Sequence, residues 1–240
     1  MSAAPELSLV IPVYNERDSL PLLVGEIAAA LAGQRYEIVA VDDCSEDGSL
    51  DVLKRLKREH PQLHIVALAA HTGQTAAFAA GFQAARGPVI VTLDADLQND
   101  PADIPALVAR LAATGMTAIV GYRVNRRDSG WKRLQARVAN GVRNRLNGET
   151  IRDTGCSLKA FRAEAVRALS LYNGMHRFFP TLIKLYGGTV GEIPVQHRPR
   201  RFGRTKYGMW NRAFRSLADA LAVRWMQRRV LRYDVREDLP

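Results

Sequence analysis

Short apolar runs separated by helical stretches dominate the first 121 residues, and this alternation constrains the fold more than any other feature. The runs cover residues 7–13, 36–41, 64–69, 88–93 and 118–121. They are rich in β-branched residues and lack polar alternation, which is typical of strands buried on both faces. The stretches between them carry apolar residues at helical spacing. The sequence therefore predicts an α/β protein with a mostly parallel, Rossmann-like sheet and helices on both faces.

Acidic residues follow three of the predicted strands. Glu16 comes shortly after the first strand, Asp42 and Asp43 end the second, and Asp94 and Asp96 directly follow the fourth. Ligands of open α/β sheets bind at the carboxyl ends of the strands. We therefore expect these carboxylates to converge on one site.

The segment from Asp94 to Gln98 is a candidate metal site. Alternate carboxylates at the end of a buried strand can approach one cation, and Gln98 adds a further oxygen nearby. Hard oxygen ligands suit Mg²⁺ or Mn²⁺, and such ions usually also bind substrate phosphates. The alternative is an acidic turn that caps the following helix.

Two further features suggest a nucleotide. Asp42 and Asp43 are placed to bind a ribose or a base edge, and Tyr14 is placed to stack on a base. The alternatives are an N-cap cluster for the next helix and an ordinary turn. The dinucleotide and P-loop glycine motifs are both absent from the sequence.

Charge divides the chain into two unlike halves. Residues 1–120 carry 8 Lys and Arg against 15 Asp and Glu, a net charge of −7, and residues 121–240 carry 26 against 9, a net charge of +17. A basic half of this size indicates a polyanionic partner, whether a nucleic acid, an anionic membrane or a phosphorylated substrate. Five cations fall between positions 198 and 206, namely Arg198, Arg200, Arg201, Arg204 and Lys206.

Two basic stretches, residues 130–146 and 209–231, have the pattern of amphipathic helices. In the second, one side is expected to carry Trp210, Phe214, Leu217, Leu221, Trp225 and Met226. Such helices fit the membrane interface, and the alternative is a helix packed on the sheet by its apolar face. We expect one domain over residues 1–208 and a basic helical tail over residues 209–240.

Neither a signal peptide nor an apolar run of roughly 20 residues is visible, so any membrane contact is expected to be peripheral. Cys44 and Cys156 cannot build a disulfide framework and suit a reducing compartment. Asp153 is a further candidate, as a carboxylate that could face a substrate as a base.

Six segments, in order, resemble glycosyltransferase family 2, and most closely its polyprenyl-phosphate glycosyltransferases of the dolichol-phosphate mannose synthase type. They read LSLVIPVYNE, VAVDDCSEDGS, VIVTLDADLQNDP, GYR, DTGCSLKAF and RRFGRTKYG. The resemblance implies a GT-A fold and an inverting, metal-dependent transfer of a sugar from a UDP- or GDP-sugar to a polyprenyl phosphate. It also implies cytoplasmic action at the inner membrane face, with an anionic membrane surface as a partner and no nucleic acid.

The resemblance assigns roles to individual positions. The nucleotide is expected at Pro12, Tyr14, Glu16, Val41, Asp43 and Ala95. The metal is expected at Asp94, Asp96 and Gln98, and the catalytic carboxylates are Asp96 and Asp153. Phosphate groups are expected at Arg123, Arg200 and Lys206. Departures from the family pattern occur at His71, Arg204 and Thr205.

Three other functions remain open at this point. The first is a family 2 enzyme that glycosylates a soluble acceptor, in which the basic tail is a packing surface. The second is a nucleic-acid-binding module that uses the basic half, although no helix-turn-helix or RNA-binding aromatic signature is visible. The third is an inactive scaffold, against which the complete set of acidic residues argues.

Overall fold

A computed structural model of the protein describes residues 4–124, 150–202 and 209–231, together with residues 141, 148 and 237. Most of the predicted helix over residues 130–146 lies outside the described residues. The same holds for Arg204, Thr205 and Lys206.

One seven-stranded sheet forms the centre of the molecule. Its strands are β1 (Leu7–Val13), β2 (Tyr36–Asp42), β3 (Leu63–Ala67), β4 (Val89–Thr92), β5 (Ala118–Arg123), β6 (Lys159–Arg162) and β7 (Val190–Val195). Their spatial order is β3-β2-β1-β4-β6-β5-β7. Strand β6 runs antiparallel to β4 and β5, and the remaining pairs are parallel. The predicted α/β class and mostly parallel sheet are confirmed.

Seven α-helices of at least five residues occur in the described parts of the chain. They are α1 (Leu20–Ala30), α2 (Ser49–Glu59), α3 (Gln74–Ala84), α4 (Ile104–Thr114), α5 (Ala163–Arg167), α6 (Phe179–Leu185) and α7 (Met209–Arg229). Short 3₁₀ turns precede two of them, at Pro101–Asp103 and Met175–Phe178. The second of these turns continues directly into α6.

Helices cover both faces of the sheet, as the unbroken apolar strands predicted. One core cluster joins the sheet to α1, α2 and α4, and the other joins it to α3, α5, α6 and α7. Strand β1 contributes to both, because Leu9 and Ile11 face the first cluster while Val10 faces the second. The carboxyl edge of the sheet is thereby fixed from two sides.

Helix α3 lies unusually close to the sheet. A Cβ at Gly81 would clash with Val10 and would lie 3.2 Å from Cγ2 of Val41. Only glycine allows this approach, because any side chain would push the helix outward. The N-terminal residues of α3, Gln74 and Thr75, are consequently held at the carboxyl edge of the sheet.

Helix α7 packs on the second core cluster and also presents an exposed apolar face. Ala220 and Val223 are buried, whereas Leu221 is 52% exposed and Trp225 is 63% exposed. Met226 packs against the core. The expectation that Leu221, Trp225 and Met226 share one face is therefore wrong for Met226, because a step of one residue rotates a side chain by about 100°.

Among the helices of the described residues, none has the length and apolar character needed to cross a membrane.

Candidate active site

The carboxyl ends of β1, β2, β4 and β5 surround a first cavity of about 310 Å³. Its walls contain Pro12, Val13, Tyr14, Glu16, Asp43, His71, Gln74, Asp94, Ala95, Asp96, Gln98, Arg123, Gly155 and Arg200. Most of the residues assigned from the sequence are thus brought together. The side chain of Val41 is instead buried in the second core cluster, and Asp153 lies behind Arg123.

Asp94, which is half-buried, and Asp96, which is buried, form an acidic pair at the end of β4. Nε2 of Gln74 donates a hydrogen bond to Oδ1 of Asp94 at 2.8 Å. Burial, together with the charge of Asp96, raises the pKa of Asp94 to about 6. The site therefore holds two like charges that a cation between them would stabilise.

Arg200 supplies a positive charge to this acidic pair. Its Nη2 donates to Oδ2 of Asp96 at 2.7 Å, and its Nη1 lies 3.7 Å from Oε1 of Glu16. The backbone N–H of Gln98 donates to the other oxygen of Asp96 at 3.1 Å. Arg200 therefore joins the loop after β7 to the carboxylates after β1 and β4.

The acidic pair fits a divalent cation that completes its coordination with substrate. Carboxylates are hard oxygen ligands, and Mg²⁺ is typically bound by one or two of them together with substrate phosphates. No cluster of three or more His, Cys, Asp or Glu side chains suited to a metal occurs in the described parts of the chain. Asp94 and Asp96, with Gln98 in the same wall, are the residues that would hold the ion.

Asp153 holds Arg123 through a bidentate ion pair. Nε of Arg123 donates to Oδ2 of Asp153 at 2.7 Å, and Nη2 donates to Oδ1 at 2.9 Å. Burial alone would lower the pKa of Arg123, but the bonds to Asp153 outweigh burial and raise it. Both carboxylate oxygens thus point Arg123 into the cavity, which is the geometry of a positioning residue.

Asp43 is committed to the turn that precedes α3. Its carboxylate accepts hydrogen bonds from the backbone N–H groups of Thr72 and Gly73, both at 2.8 Å, and lies 2.9 Å from Nδ1 of His71. The ring of His71 in turn stacks on Tyr14 with 3.9 Å between centroids. Asp43 therefore positions a stacked Tyr14–His71 pair in the cavity wall, and the departure at His71 forms part of the site.

A second cavity of about 390 Å³ adjoins the first. The two share Gln74, Asp94, Gln98, Arg123 and Gly155. The second cavity is otherwise lined by Phe78, Thr92, Thr154, Ser157, Lys159, His176, Arg177, Phe179 and His197. Sequence reasoning missed this cavity. Lys159 lies within a recognised motif, but no local pattern singles out His176, Arg177 or His197.

An α/β sheet of this order, with an Asp-x-Asp pair and converging Arg side chains at its carboxyl edge, defines a glycosyltransferase of the GT-A fold. The chain belongs to glycosyl transferase family 2, whose sequence profile matches residues 8–170. The family and the enzyme class predicted from the sequence are confirmed.

Curated relatives are close in sequence. The chain is 41% identical over 229 residues to the dodecaprenyl-phosphate galacturonate synthase of Rhizobium johnstonii, which covers 93% of this chain and 68% of that protein. It is 40% identical over 208 residues to the undecaprenyl-phosphate 4-deoxy-4-formamido-L-arabinose transferase of Yersinia enterocolitica, covering 85% and 63%. The chain thus spans about two thirds of the length of these relatives.

Solved structures share the fold. A mannosyltransferase from Pyrobaculum calidifontis in complex with GDP-Man and Mn²⁺ aligns with a TM-score of 0.67 at 21% identity, over 95% of this chain and 65% of that one. Glucosyl-3-phosphoglycerate synthase from Mycobacterium tuberculosis, in complex with Mn²⁺, UDP and glucosyl-3-phosphoglycerate, aligns with a TM-score of 0.70 at 16% identity, over 93% of this chain and 80% of that one. At such identities the likeness shows the fold alone.

Proposed function

We propose that the protein transfers a sugar from a UDP- or GDP-sugar to a polyprenyl phosphate, with inversion at the anomeric carbon. The observation that carries the proposal is the acidic pair Asp94 and Asp96 placed against Arg200 and Arg123 at the carboxyl edge of the sheet. Both relatives above are named as enzymes of polyprenyl phosphates, which supports the acceptor class.

The first cavity suits the nucleoside diphosphate half of the donor. Tyr14 and His71 offer aromatic surface for the base, and Arg200 and Arg123 offer guanidinium forks for phosphate oxygens. A Mg²⁺ or Mn²⁺ ion held by Asp94 and Asp96 would neutralise charge that develops on the departing diphosphate. With the donor bound, Arg200 would donate hydrogen bonds to phosphate oxygens as well as to the carboxylate of Asp96. The described residues leave the predicted contribution of Lys206 untested.

The acceptor needs no strong base. A phosphate monoester has a second pKa of about 6 and is largely ionised near neutral pH. Its oxygen forms a bond to the anomeric carbon while the bond from that carbon to the diphosphate oxygen breaks, and the electron pair leaves with the nucleoside diphosphate. Asp153, with both oxygens bound to Arg123, orients that guanidinium rather than accepting a proton.

The exposed face of α7 supports action at the inner surface of the cytoplasmic membrane. Leu221 and Trp225 are exposed one helical turn apart, and Arg228 and Arg229 are exposed a further turn on. Apolar side chains next to Arg fit an interface of acyl chains and anionic head groups. A family 2 enzyme that uses a soluble acceptor is the competing function.

A transfer panel tests the proposal. Purified protein is incubated with Mn²⁺ or Mg²⁺ and a set of UDP- and GDP-sugars, with and without a short polyprenyl phosphate. We expect acceptor-dependent release of one nucleoside diphosphate. Release only with a soluble acceptor would contradict the lipid acceptor.

The variant Asp96→Ala tests the site within the same assay. We expect it to lose activity by about 10²-fold or more, because it removes a metal ligand and the partner of Arg200. Asp51→Ala is the matched control, since the side chain of Asp51 is 84% exposed on α2. Near-normal turnover of Asp96→Ala would contradict the assignment of the site.

A further inference from the structure

The second cavity carries positive charge beyond the Arg side chains that the proposed function assigns to the donor diphosphate in the first cavity. Apart from Asp94 and Arg123, which both cavities share, the charged side chains in its wall are Lys159 and Arg177, and His176 and His197 add two imidazoles. Outside that shared pair, the described residues of the first cavity include three acidic side chains, Glu16, Asp43 and Asp96, against the single cation Arg200. The two adjoining cavities therefore differ in the sign of the charge they offer to a ligand.

His176 and Arg177 are held in place by packing rather than extended from the surface. Both lie in the 3₁₀ turn Met175–Phe178, whose two terminal side chains are buried. Oγ1 of Thr75 lies 2.8 Å from Nδ1 of His176 and accepts a hydrogen bond from the N–H of Gly174 at 3.0 Å. The N-terminus of α3 thus fixes this turn from one side.

Helix α7 closes on the same turn from the other side. A Cβ at Gly174 would lie 2.5 Å from Oδ2 of Asp219, and the backbone of Gly174 has a φ of 88°, so that only glycine fits between the two segments. The turn that carries His176 and Arg177 is therefore clamped between α3 and the helix with the exposed apolar face. Residues on a turn held in this way lose little backbone freedom when a ligand binds.

Lys159 contributes a charge from beneath the cavity. Its side chain is buried, and its Nζ donates a hydrogen bond to the backbone carbonyl of Cys156. The carboxylates of Asp94 and Asp153 act on it electrostatically. Lys159 and Arg177 thus place two positive charges in the wall of the same cavity, beside the imidazole of His176.

The shared wall defines what enters the second cavity. A donor whose diphosphate occupies the first cavity places its sugar near Asp94, Gln98 and Arg123, which belong to both cavities. Phe78 and Phe179 supply an apolar surface in the second cavity, and its volume of about 390 Å³ suits a small ligand group. A ligand group bound in the second cavity therefore lies on the side of the anomeric carbon that is opposite to the diphosphate.

We propose that the second cavity is a separate oxyanion subsite, in which Arg177 and His176 bind a negatively charged group of a substrate other than the donor diphosphate. The inference rests on the proposed function and deepens it. Arg presents a planar fork that matches both carboxylate and phosphate oxygens. The oxyanion is either a carboxylate on the transferred sugar or the phosphate of the acceptor.

Direct binding tests the subsite without any turnover. The protein is saturated with UDP or GDP and diamagnetic Mg²⁺, which are expected to fill the first cavity, and is then titrated with inorganic phosphate, galacturonate or neutral galactose while ligand NMR signals are followed. We expect one of the two anions to bind more tightly than galactose, and Arg177→Met to weaken that binding at least tenfold. Galacturonate identifies the sugar carboxylate, and phosphate identifies the acceptor.

Matched variants separate recognition from folding. Arg177→Lys keeps the charge without the fork and should fall between wild type and Arg177→Met, while Arg58→Met on exposed α2 should bind as wild type does. Affinity for UDP or GDP should be unchanged in all of them. Equal affinity for both anions and galactose, or an anion affinity unaffected by Arg177→Met, would overturn the subsite. Failure of lipid transfer with anion binding intact would instead contradict only the proposed acceptor.

Discussion

The carboxyl group of Asp94 affects both the stability of the protein and the chemistry of its site. Folding removes much of the water around this carboxyl and places it beside Asp96, and these two effects raise its pKa from 3.8 to about 6. A group whose pKa rises on folding contributes stability below its unfolded pKa, and this stability is lost as the pH rises through its folded pKa. Near neutral pH, the charged form of Asp94 therefore lowers the free energy of unfolding. Such a cost in stability is a frequent property of active sites.

The variant Asp94→Asn should separate these two effects. In metal-free protein at pH 7, we expect it to raise the free energy of unfolding by about 3 kcal/mol, because the cost of the buried charge disappears. This gain should shrink as the pH falls from about 6 to 4, and sugar transfer should be lost. Chemical denaturation in EDTA across this range measures the effect.

Asp51→Asn is the control for the charge change, because its side chain is exposed. If Asp94→Asn raised the free energy of unfolding equally at pH 4 and pH 7, the pKa of Asp94 would not be raised in the folded protein.

The sequence predicted the acidic part of the site because those residues follow the strands directly. Glu16, Asp94 and Asp96 needed only the rule that ligands bind at carboxyl ends of parallel strands. His176 and Arg177 could not be found in this way. They reach the second cavity through the contact of His176 with Thr75, which lies 101 residues away in the chain.

Among the elements, the antiparallel strand β6 is the one that local sequence could not predict. It has four residues, Lys159–Arg162, with a cation at each end. Its pairing is fixed instead by its neighbours, since Phe161 lies opposite both Ile90 of β4 and Ala118 of β5. A strand this short is specified by burial between two others and not by its own periodicity.

Helix α3 provides a stability test at the scale of an element. We expect Gly81→Ala to lower the free energy of unfolding by about 1–2 kcal/mol, because a Cβ there collides with the stiff side chain of Val10. Gly25→Ala in α1 is the matched control, since nothing lies within 4 Å of its Cβ position. That change should stabilise by about 0.5–1 kcal/mol through helix propensity alone.

Urea denaturation of the two glycine variants gives both values under one set of conditions. A stabilising effect of Gly81→Ala equal to that of Gly25→Ala would mean that α3 can move outward freely. The N-terminus of α3 would then not be a rigid support for Gln74 and Thr75.

Across the whole molecule, the uneven charge of the sequence corresponds to two kinds of surface. The acidic half supplies the carboxylates of the first cavity, and the basic half supplies Arg200, Arg177 and helix α7. This imbalance predicted a polyanionic partner. It did not predict that α7 contacts the turn that carries His176 and Arg177 into the wall of the second cavity. That contact depends on the close approach of Gly174 to Asp219, which no local pattern reveals.

Vesicle binding tests the exposed face of α7. We expect the double variant Leu221→Glu, Trp225→Glu to bind phosphatidylglycerol vesicles about tenfold more weakly than wild type, because it removes apolar area and adds repulsive charge. Sedimentation with vesicles at low and high salt measures this, and binding should weaken as salt rises. Leu22→Glu is the control, since Leu22 is 44% exposed on α1. Equal loss in the control would exclude a specific role for α7.

The place of β6 in the sheet also sets an order for folding during synthesis. Strands β1 to β4 lie within residues 7–92 and pair with one another, whereas β5 joins the sheet only through β6 and β7. A nascent chain therefore forms a four-stranded unit early and leaves the edge of β4 open until residues 159–162 emerge. During this interval the aspartates after β4 are present without Arg177 or Arg200. The acidic side chains of the first cavity therefore emerge from the ribosome well before the arginines that face them.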